Sequence, residues 1–271
     1  MNNNTKIFFF IFLCSASYSL FAGKWINWST IAHDVKEGLT SAIDFVSEKL
    51  STHATTVTES GTVVTKEISI SAIEKVELFG TGNLIISQND KQSESLIIEA
   101  DEAIMPYIET QISNKTLSLK IQDNVSYQTK NRSLVYRINL KKLTHLSLSG
   151  ATRSELNTIK ADALTIDLQG ASRLLGTVDI QSLAIDASGA SKITLTGKAI
   201  AQNIDLSGSS SCDAQNLAGK AIIVHITGSS VVYCNPSETL SGKVSGASSL
   251  YYTNKPTVSV KSTGVASIQK I

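Results

Sequence analysis

Charge is what this chain has little of. Only 17% of its 271 residues are Asp, Glu, Lys or Arg, and they balance to a net +1. A nucleic-acid footprint needs a basic stripe, so that class of partner is excluded. Histidine occurs four times, as His33, His53, His145 and His225, scattered with no shared motif, which leaves no metal-binding cluster. Three cysteines are too few for a disulfide framework. Proline occurs three times and aromatics make up 6%, so little interrupts extended backbone. What is plentiful is Ser, Thr, Asn and Gly among β-branched residues. That composition suits strands with hydroxyl-bearing outer faces.

The N-terminus reads as an export signal over residues 1–22. Lys6 precedes a compact apolar run from Ile7 to Leu13, small residues follow, and Leu20-Phe21-Ala22 offers a cleavage site. The stretch is short for a membrane span of about 20 residues, which favours cleavage over anchoring. Cys14 then leaves with the signal, and Cys212 and Cys234 remain. The expected location is periplasm, outer-membrane surface or medium.

Residues 23–50 are expected to form one amphipathic helix. Apolar residues recur at Trp28, Ile31, Val35, Leu39, Ile43, Val46 and Leu50, at spacings of three and four, with Ser29 or Thr30 placed to cap the start. Such a stripe needs a surface: the end of the domain that follows, or a partner in the envelope. Residues 51–60, rich in Ser and Thr, read as a linker.

From residue 61 the period drops to two. Strands are expected at Thr62–Ile70, Lys75–Phe79, Leu84–Gln88, Leu96–Ala100, Thr116–Ile121 and Leu134–Leu140. The polar stretch Asp123–Arg132 reads as a surface loop, and Gly80-Thr81-Gly82, which lacks the third glycine and the helix of a dinucleotide site, reads as a turn.

A repeat organises the rest. Glycine followed by a small residue, and usually Ser, recurs at Gly150, Gly170, Gly189, Gly208, Gly228, Gly246 and, more weakly, Gly264. Successive differences are 20, 19, 19, 20, 18 and 18. Apolar residues stand mostly two and four positions before each glycine and four after. Period two within a unit and about 19 between units means stacked strands whose rows fill columns of a core. The expected fold is all-β: a right-handed parallel β-helix, or β-solenoid, with coils of 18–20 residues, irregular over 61–143 and regular over 144–271. A left-handed hexapeptide helix would show an aliphatic residue at every sixth position, and this chain does not.

The run Val76-Glu77-Leu78-Phe79-Gly80-Thr81-Gly82-Asn83-Leu84-Ile85-Ile86 resembles the opening of a bacterial family, the putative auto-transporter adhesin, head GIN domain (DUF2807). So do Ile104-Met105-Pro106-Tyr107-Ile108-Glu109-Thr110, the later Thr116-Leu117-Ser118-Leu119 and the Gly-Ala-Ser units. The resemblance runs from about Ile68 to the C-terminus and implies an extracytoplasmic β-helical domain.

Little chemistry stands out. No Gly-x-Ser-x-Gly or His-Glu-x-x-His motif occurs. The regular spacing leaves no long loops to build a cleft, so no catalytic residue, no cofactor and no enzyme activity are expected. One outward row carries Asp167, Asp186 and Asp205 in consecutive coils, a weak candidate for a calcium row and otherwise a solvated acidic stripe. A basic row, Arg153, Arg173 and Lys192, should lie on the next face and partly balance it. Cys212 and Cys234 fall one coil and two residues apart, about 8 Å, beyond the roughly 7 Å reach of a disulfide; both are expected as buried thiols. Tyr233, Tyr251 and Tyr252 suggest packing at the C-terminal end, or a surface for stacking sugars.

Three functional readings follow. The first is a non-enzymatic binding or adhesin-like module whose partner is a protein or glycan at the cell envelope. The second is a structural or assembly component docked through the helix. The third is a carbohydrate-active enzyme using Glu99, Asp101, Glu102 and Glu109. The C-terminal edge strand, open in the repeat, should be covered by a second copy, the helix or a partner.

Overall fold

The computed structural model describes residues 18–21, 24–27, 55–128 and 134–271. The chain divides into two compact units, Met1–Ala54 and Thr55–Ile271. In the first unit, β1 (Tyr18–Phe21) pairs antiparallel with β2 (Lys24–Asn27). The start of the expected helix is therefore a strand, as its β-favouring Trp25 and Ile26 allow. The rest of that helix lies outside the described residues, as does most of the expected signal.

The second unit is a β-solenoid of about six turns. Its strands are β3 (Thr55–Thr58), β4 (Val63–Ser69), β5 (Lys75–Gln88), β6 (Ser95–Asp101), β7 (Ile108–Ser113), β8 (Thr116–Ile121), β9 (Val125–Gln128), β10 (Val135–Leu140), β11 (His145–Gly170), β12 (Arg173–Ala187), β13 (Lys192–Leu206), β14 (Ser211–Ile226), β15 (Val231–Val244), β16 (Ser249–Tyr252), β17 (Thr257–Ser262) and β18 (Ser267–Lys270). One 3-10 turn, Met105–Tyr107, is the only helical element among the described residues.

From β5 onward, each coil pairs in parallel with the next: β5 with β11, then β12, β13, β14 and β15, with β16 and β17 on β15 and β18 on β16. The register follows the glycine repeat. Arg153 pairs with Arg173, Arg173 with Lys192, Lys192 with Ser211, Ser211 with Val231, Val231 with Ser249 and Ser249 with Ser267. The rows therefore stack, and the apolar ones line the interior. Leu148, Leu168, Ala187, Leu206, Ile226 and Val244 are fully buried in one such column. Each fully buried aliphatic side chain contributes about 1.5–3 kcal/mol over leaving it in water.

The serine that follows the corner glycine by two turns inward. Ser172, Ser191, Ser210, Ser230 and Ser248 are at most 1% exposed. The Ser172 hydroxyl donates to the Gln169 carbonyl at 2.8 Å, and Ser191 to Ser188 at 2.9 Å. The hydroxyls of Ser172, Ser191, Ser230 and Ser248 bond corner backbone, while that of Ser210 has no partner among the described residues, and the row belongs to the core. The outward small residues are Ala171, Ala190, Ser209, Ser229 and Ala247, all exposed.

The coil column begins earlier than the repeat shows. Gly80 stands opposite Gly150 and has φ +92°. Gly80-Thr81-Gly82 is thus a corner within the continuous strand β5, not a turn between two strands. The chain then leaves the stack after Gln88 and returns at His145. On the way it lays β8 and β10 against β5, both parallel, as a rung that precedes β5 in space but follows it in sequence. Beyond that rung the strands turn antiparallel: β6 on β10, β4 on β6 and β7 on β8. These strands continue the N-terminal side of the stack. The Asp101 carboxylate ties the entry down, accepting hydrogen bonds from the amides of Ser60 (3.0 Å), Gly61 (2.8 Å) and Ala103 (2.9 Å). Those bonds, led by the Ser60 amide, hold its pKa below the usual carboxylate value.

The expected linker 51–60 and the expected loop 123–132 are both partly strand. Thr55–Thr58 pairs in parallel with Val125–Gln128, and Val57 is buried. Each segment alone is too polar to show a strand period. Paired, their backbone groups satisfy one another.

Candidate functional site

At the corner at Gly80, beside the excursion that leaves the stack after Gln88, two cavities meet. One, about 340 Å³, is lined by Thr81, Gly82, Asn83, Tyr127, Leu134, Ala151, Thr152, Arg153, Ala171 and Arg173. The other, about 290 Å³, is lined by Phe79, Gly80, Thr81, Lys120, Ile121, Asp123, Val125 and Tyr127. Thr81 and Tyr127 line both, so the two form one groove across the corner.

Asn83, Arg153 and Arg173 belong to a single outward row. Asn83 pairs with Arg153 and Arg153 with Arg173. Successive Cα atoms are about 4.8 Å apart, so the two guanidinium groups issue from adjacent rungs on one face. Among the described residues neither arginine has an ion-pair or hydrogen-bond partner. The basic and acidic rows make no direct ion pair with each other among the described residues. The reason is geometric: the corner separates the row three residues before each glycine from the row three residues after it.

Beneath the groove lies Tyr136, fully buried. A Cβ on Gly82, whose φ is +140°, would stand 3.0 Å from Cε2 of its ring, so the tyrosine fills the space that the missing side chain leaves. Its hydroxyl has no partner among the described residues, and burial pushes the phenol pKa up. A buried, unpaired hydroxyl costs about 1–3 kcal/mol. Tyr136→Phe is therefore expected to leave thermal stability unchanged or raise it. A fall in Tm of several degrees would show that the hydroxyl has a partner.

The aspartates stack as the repeat implies: Asp167 opposite Asp186, Asp186 opposite Asp205, and Asp205 opposite His225. His145 Nε2 lies 3.4 Å from Asp167 Oδ2, an ion pair when the imidazole is protonated. No group of three or more His, Cys, Asp or Glu among the described residues is arranged to hold a metal ion. Burial, then the charges of Asp205 and Asp167, raises the Asp186 pKa. A folded-state pKa above the unfolded one means the native state binds a proton more tightly. The contribution of Asp186 to stability is then greatest below the unfolded value, near 3.9, and falls as pH rises through the folded value. Asp186→Asn should accordingly raise Tm at pH 7, with the gain shrinking toward pH 3. Equal gains at both pH values would contradict like-charge repulsion in the row.

Elsewhere, Cys212 and Cys234 are buried and unbridged, and burial pushes each thiol up to about 12. Tyr233 and Tyr251 do not pack over the coil end. They stand in register on the outer face and stack with ring centroids 4.8 Å apart and planes 14° apart, while Tyr252 packs on the core. The four acids considered for catalysis do not converge. Glu99 binds Arg137 at 2.9 Å, Asp101 holds backbone amides, Glu109 lies 3.4 Å from Lys120, and Glu102 is exposed. None of them lines the groove.

The groove residues Thr81, Asn83 and Tyr127 are not singled out by sequence. Asn83 had a signal: it follows Gly80 by three, as Arg153 follows Gly150. Tyr127 had none, because the pairing of β3 with β9 places it.

Known structures share this fold. A putative adhesin from Bacteroides fragilis superposes with a TM-score of 0.74 at 22% identity, over 79% of this chain and 100% of its own. A putative adhesin from Parabacteroides merdae gives 0.65 at 20%, over 80% and 100%. A protein from Parabacteroides distasonis named a putative lipid binding protein gives 0.66 at 18%, over 80% and 99%. At these identities the likeness is one of fold. No curated protein matches the chain. The family described as putative auto-transporter adhesin, head GIN domain, matches residues 72–256. That span takes in the corner at Gly80, the groove around it and most of the coils, and with more than half its length so matched the chain belongs to this DUF2807 family.

Proposed function

We propose that this protein is an exported, non-enzymatic binding module of the bacterial envelope or surface, adhesin-like in action, and that it holds its partner in the groove across the Gly80 corner. The observation that carries the reading is the groove itself. Two adjoining cavities meet at Thr81 and Tyr127, and the first is lined by two exposed arginines with no partner among the described residues. The solenoid behind it, winding right-handed, serves as a rigid support. Its interior is filled by side chains, which leaves binding to the surface. Export rests on the signal-like residues 1–22. A mature N-terminus at Gly23, found by mass spectrometry in the periplasm, outer membrane or medium, would support it, and an intact Met1 in the inner membrane would contradict it.

The groove is tested by filling it. Full-length protein is applied to arrays of saccharides and extracellular proteins, as wild type, Thr81→Trp and Ser209→Trp. Thr81 lines both cavities, whereas Ser209 is an exposed corner residue three coils away from Gly150. Binding lost in the first variant and kept in the second supports the groove. Ligand capture that neither variant changes overturns it.

A further inference from the structure

Resting on that reading, we infer that the groove takes an acidic saccharide, with the carboxylate of a uronic or sialic acid held between Arg153 and Arg173. The argument starts from the spacing of the rungs. Two arginines in register, about 4.8 Å apart at their Cα atoms, are close enough for both guanidinium groups to reach one anion, and a guanidinium fork matches a carboxylate in two parallel hydrogen bonds. Exposed arginines are ordinarily paired or solvated at random. Here both line one cavity of about 340 Å³, a volume within the range of small-ligand sites. Glu155, two residues beyond Arg153 on the same face, forms no ion pair with either.

The rest of the lining suits a sugar. Asn83 stands in the same row one rung earlier, and its amide both donates and accepts, as sugar hydroxyls require. Thr81 adds a hydroxyl at the corner. Tyr127, which is half-buried, supplies one aromatic side, against which the C–H face of a pyranose can lie. The two cavities differ in lining. Apart from Leu134, Ala151 and Ala171 the described lining of the arginine-bearing one is polar or glycine and tyrosine, and the column beneath it is closed by the fully buried Tyr136 and Leu84. Phe79, Ile121 and Val125 line the adjoining cavity, so the vesicle titration below decides for or against a lipid.

Lys192 continues the basic row by one rung but lies outside the cavity, and so provides a control. Full-length protein is titrated calorimetrically with trigalacturonate, its methyl ester, sialyllactose, and phosphatidylglycerol vesicles. Wild type is compared with the double variant Arg153→Gln/Arg173→Gln and with Lys192→Gln. All three side chains are exposed, so folding is not at stake. The expected result is binding of an acidic saccharide that weakens about tenfold or more in the double variant, stays within about twofold in Lys192→Gln, and falls with added salt. The methyl ester should bind about tenfold more weakly than the acid. The proposal is overturned if neither acidic saccharide binds at millimolar concentration, if the double variant binds as wild type, if acid and ester bind alike, or if vesicles bind while the saccharides do not. A neutral ligand abolished by Thr81→Trp but indifferent to the arginines would sink the acidic saccharide and leave the groove standing. A ligand indifferent to both variants would sink both.

Discussion

Gly208→Val is expected to destabilise the solenoid by roughly 3–5 kcal/mol, enough to unfold the central coils near physiological temperature. Gly208 has φ +74°, a conformation that a β-branched residue adopts only at high cost. A Cβ there would also stand 2.6 Å from the carbonyl oxygen of Gly189, the corner below. That oxygen accepts the Ser209 amide at 2.7 Å, so it cannot move aside without breaking a rung. The same stacking recurs at each corner, with the Ala190 amide on Gly170 and the Ser229 amide on Gly208 at 2.8 and 2.7 Å. Strain and overlap therefore add at one site. The exposed neighbour serves as control: Ser209→Ala should stay within about 0.5 kcal/mol of wild type. Denaturant melts followed by circular dichroism decide it. A Gly208→Val protein with wild-type midpoint would mean that the corners are not held by backbone contact.

Ile193→Ala should cost about 2–5 kcal/mol, and Ile268→Ala less than half as much. The two isoleucines occupy the same row, four residues after their glycines. Ile193 is fully buried between Leu174 and Cys212, its partners in the neighbouring coils. Ile268 lies in the last rung, opposite Leu250 only, and is half-buried. Removing the first leaves a cavity with walls above and below. Removing the second exposes a surface that water already reaches. In a stack where each coil contacts only its neighbours, position along the axis sets the cost of an identical substitution. Equal losses at the two positions would show that the last rung is covered in solution, the result expected if a second copy or another partner sits on the β17–β18 edge. Amide exchange of Ser267–Lys270 then tells fraying from cover.

Those results bear on why the regular coils were legible beforehand. A repeat of about 19 residues puts glycine into the same place seven times, serine two residues on in five of them and aliphatics in most, and antiparallel hairpins give no reason for a column at that period. Gly150 to Gly264, the aspartate row and the basic row all fall in register as the repeat implies. Composition suggested hydroxyl-bearing outer faces in general and did not show that the corner serines are buried, which a hydroxyl bonded to local backbone allows at little cost. Of the two readings of the tyrosines, packing at the C-terminal end does not describe the pair Tyr233 and Tyr251. Tyr233 and Tyr251 follow the alternation outward, and a stack of identical residues on adjacent rungs satisfies both rings.

In the first 90 residues of the domain the six strands expected from the period of two are present, and what the sequence did not show is their order in space. Gly80 belongs to the glycine column, but 70 residues separate it from Gly150, the next member, so it breaks the period. The rung of β8 and β10 precedes β5 in space and follows it in the chain. Sequence periodicity reports order along the chain, and here spatial order differs. The strands β3 and β9 lack a pattern of their own and exist through each other.

What the sequence by itself determined is the coil: its length, its corner glycines, its filled interior and the family to which it belongs, because each is a local rule repeated. What only the tertiary structure decided is the groove. It forms where a non-repeating excursion brings Tyr127 and Leu134 against the corner at Gly80 and beside Arg153 and Arg173. Contacts between residues far apart in the chain follow no period, and the surfaces they build can be seen only once the chain has closed on itself.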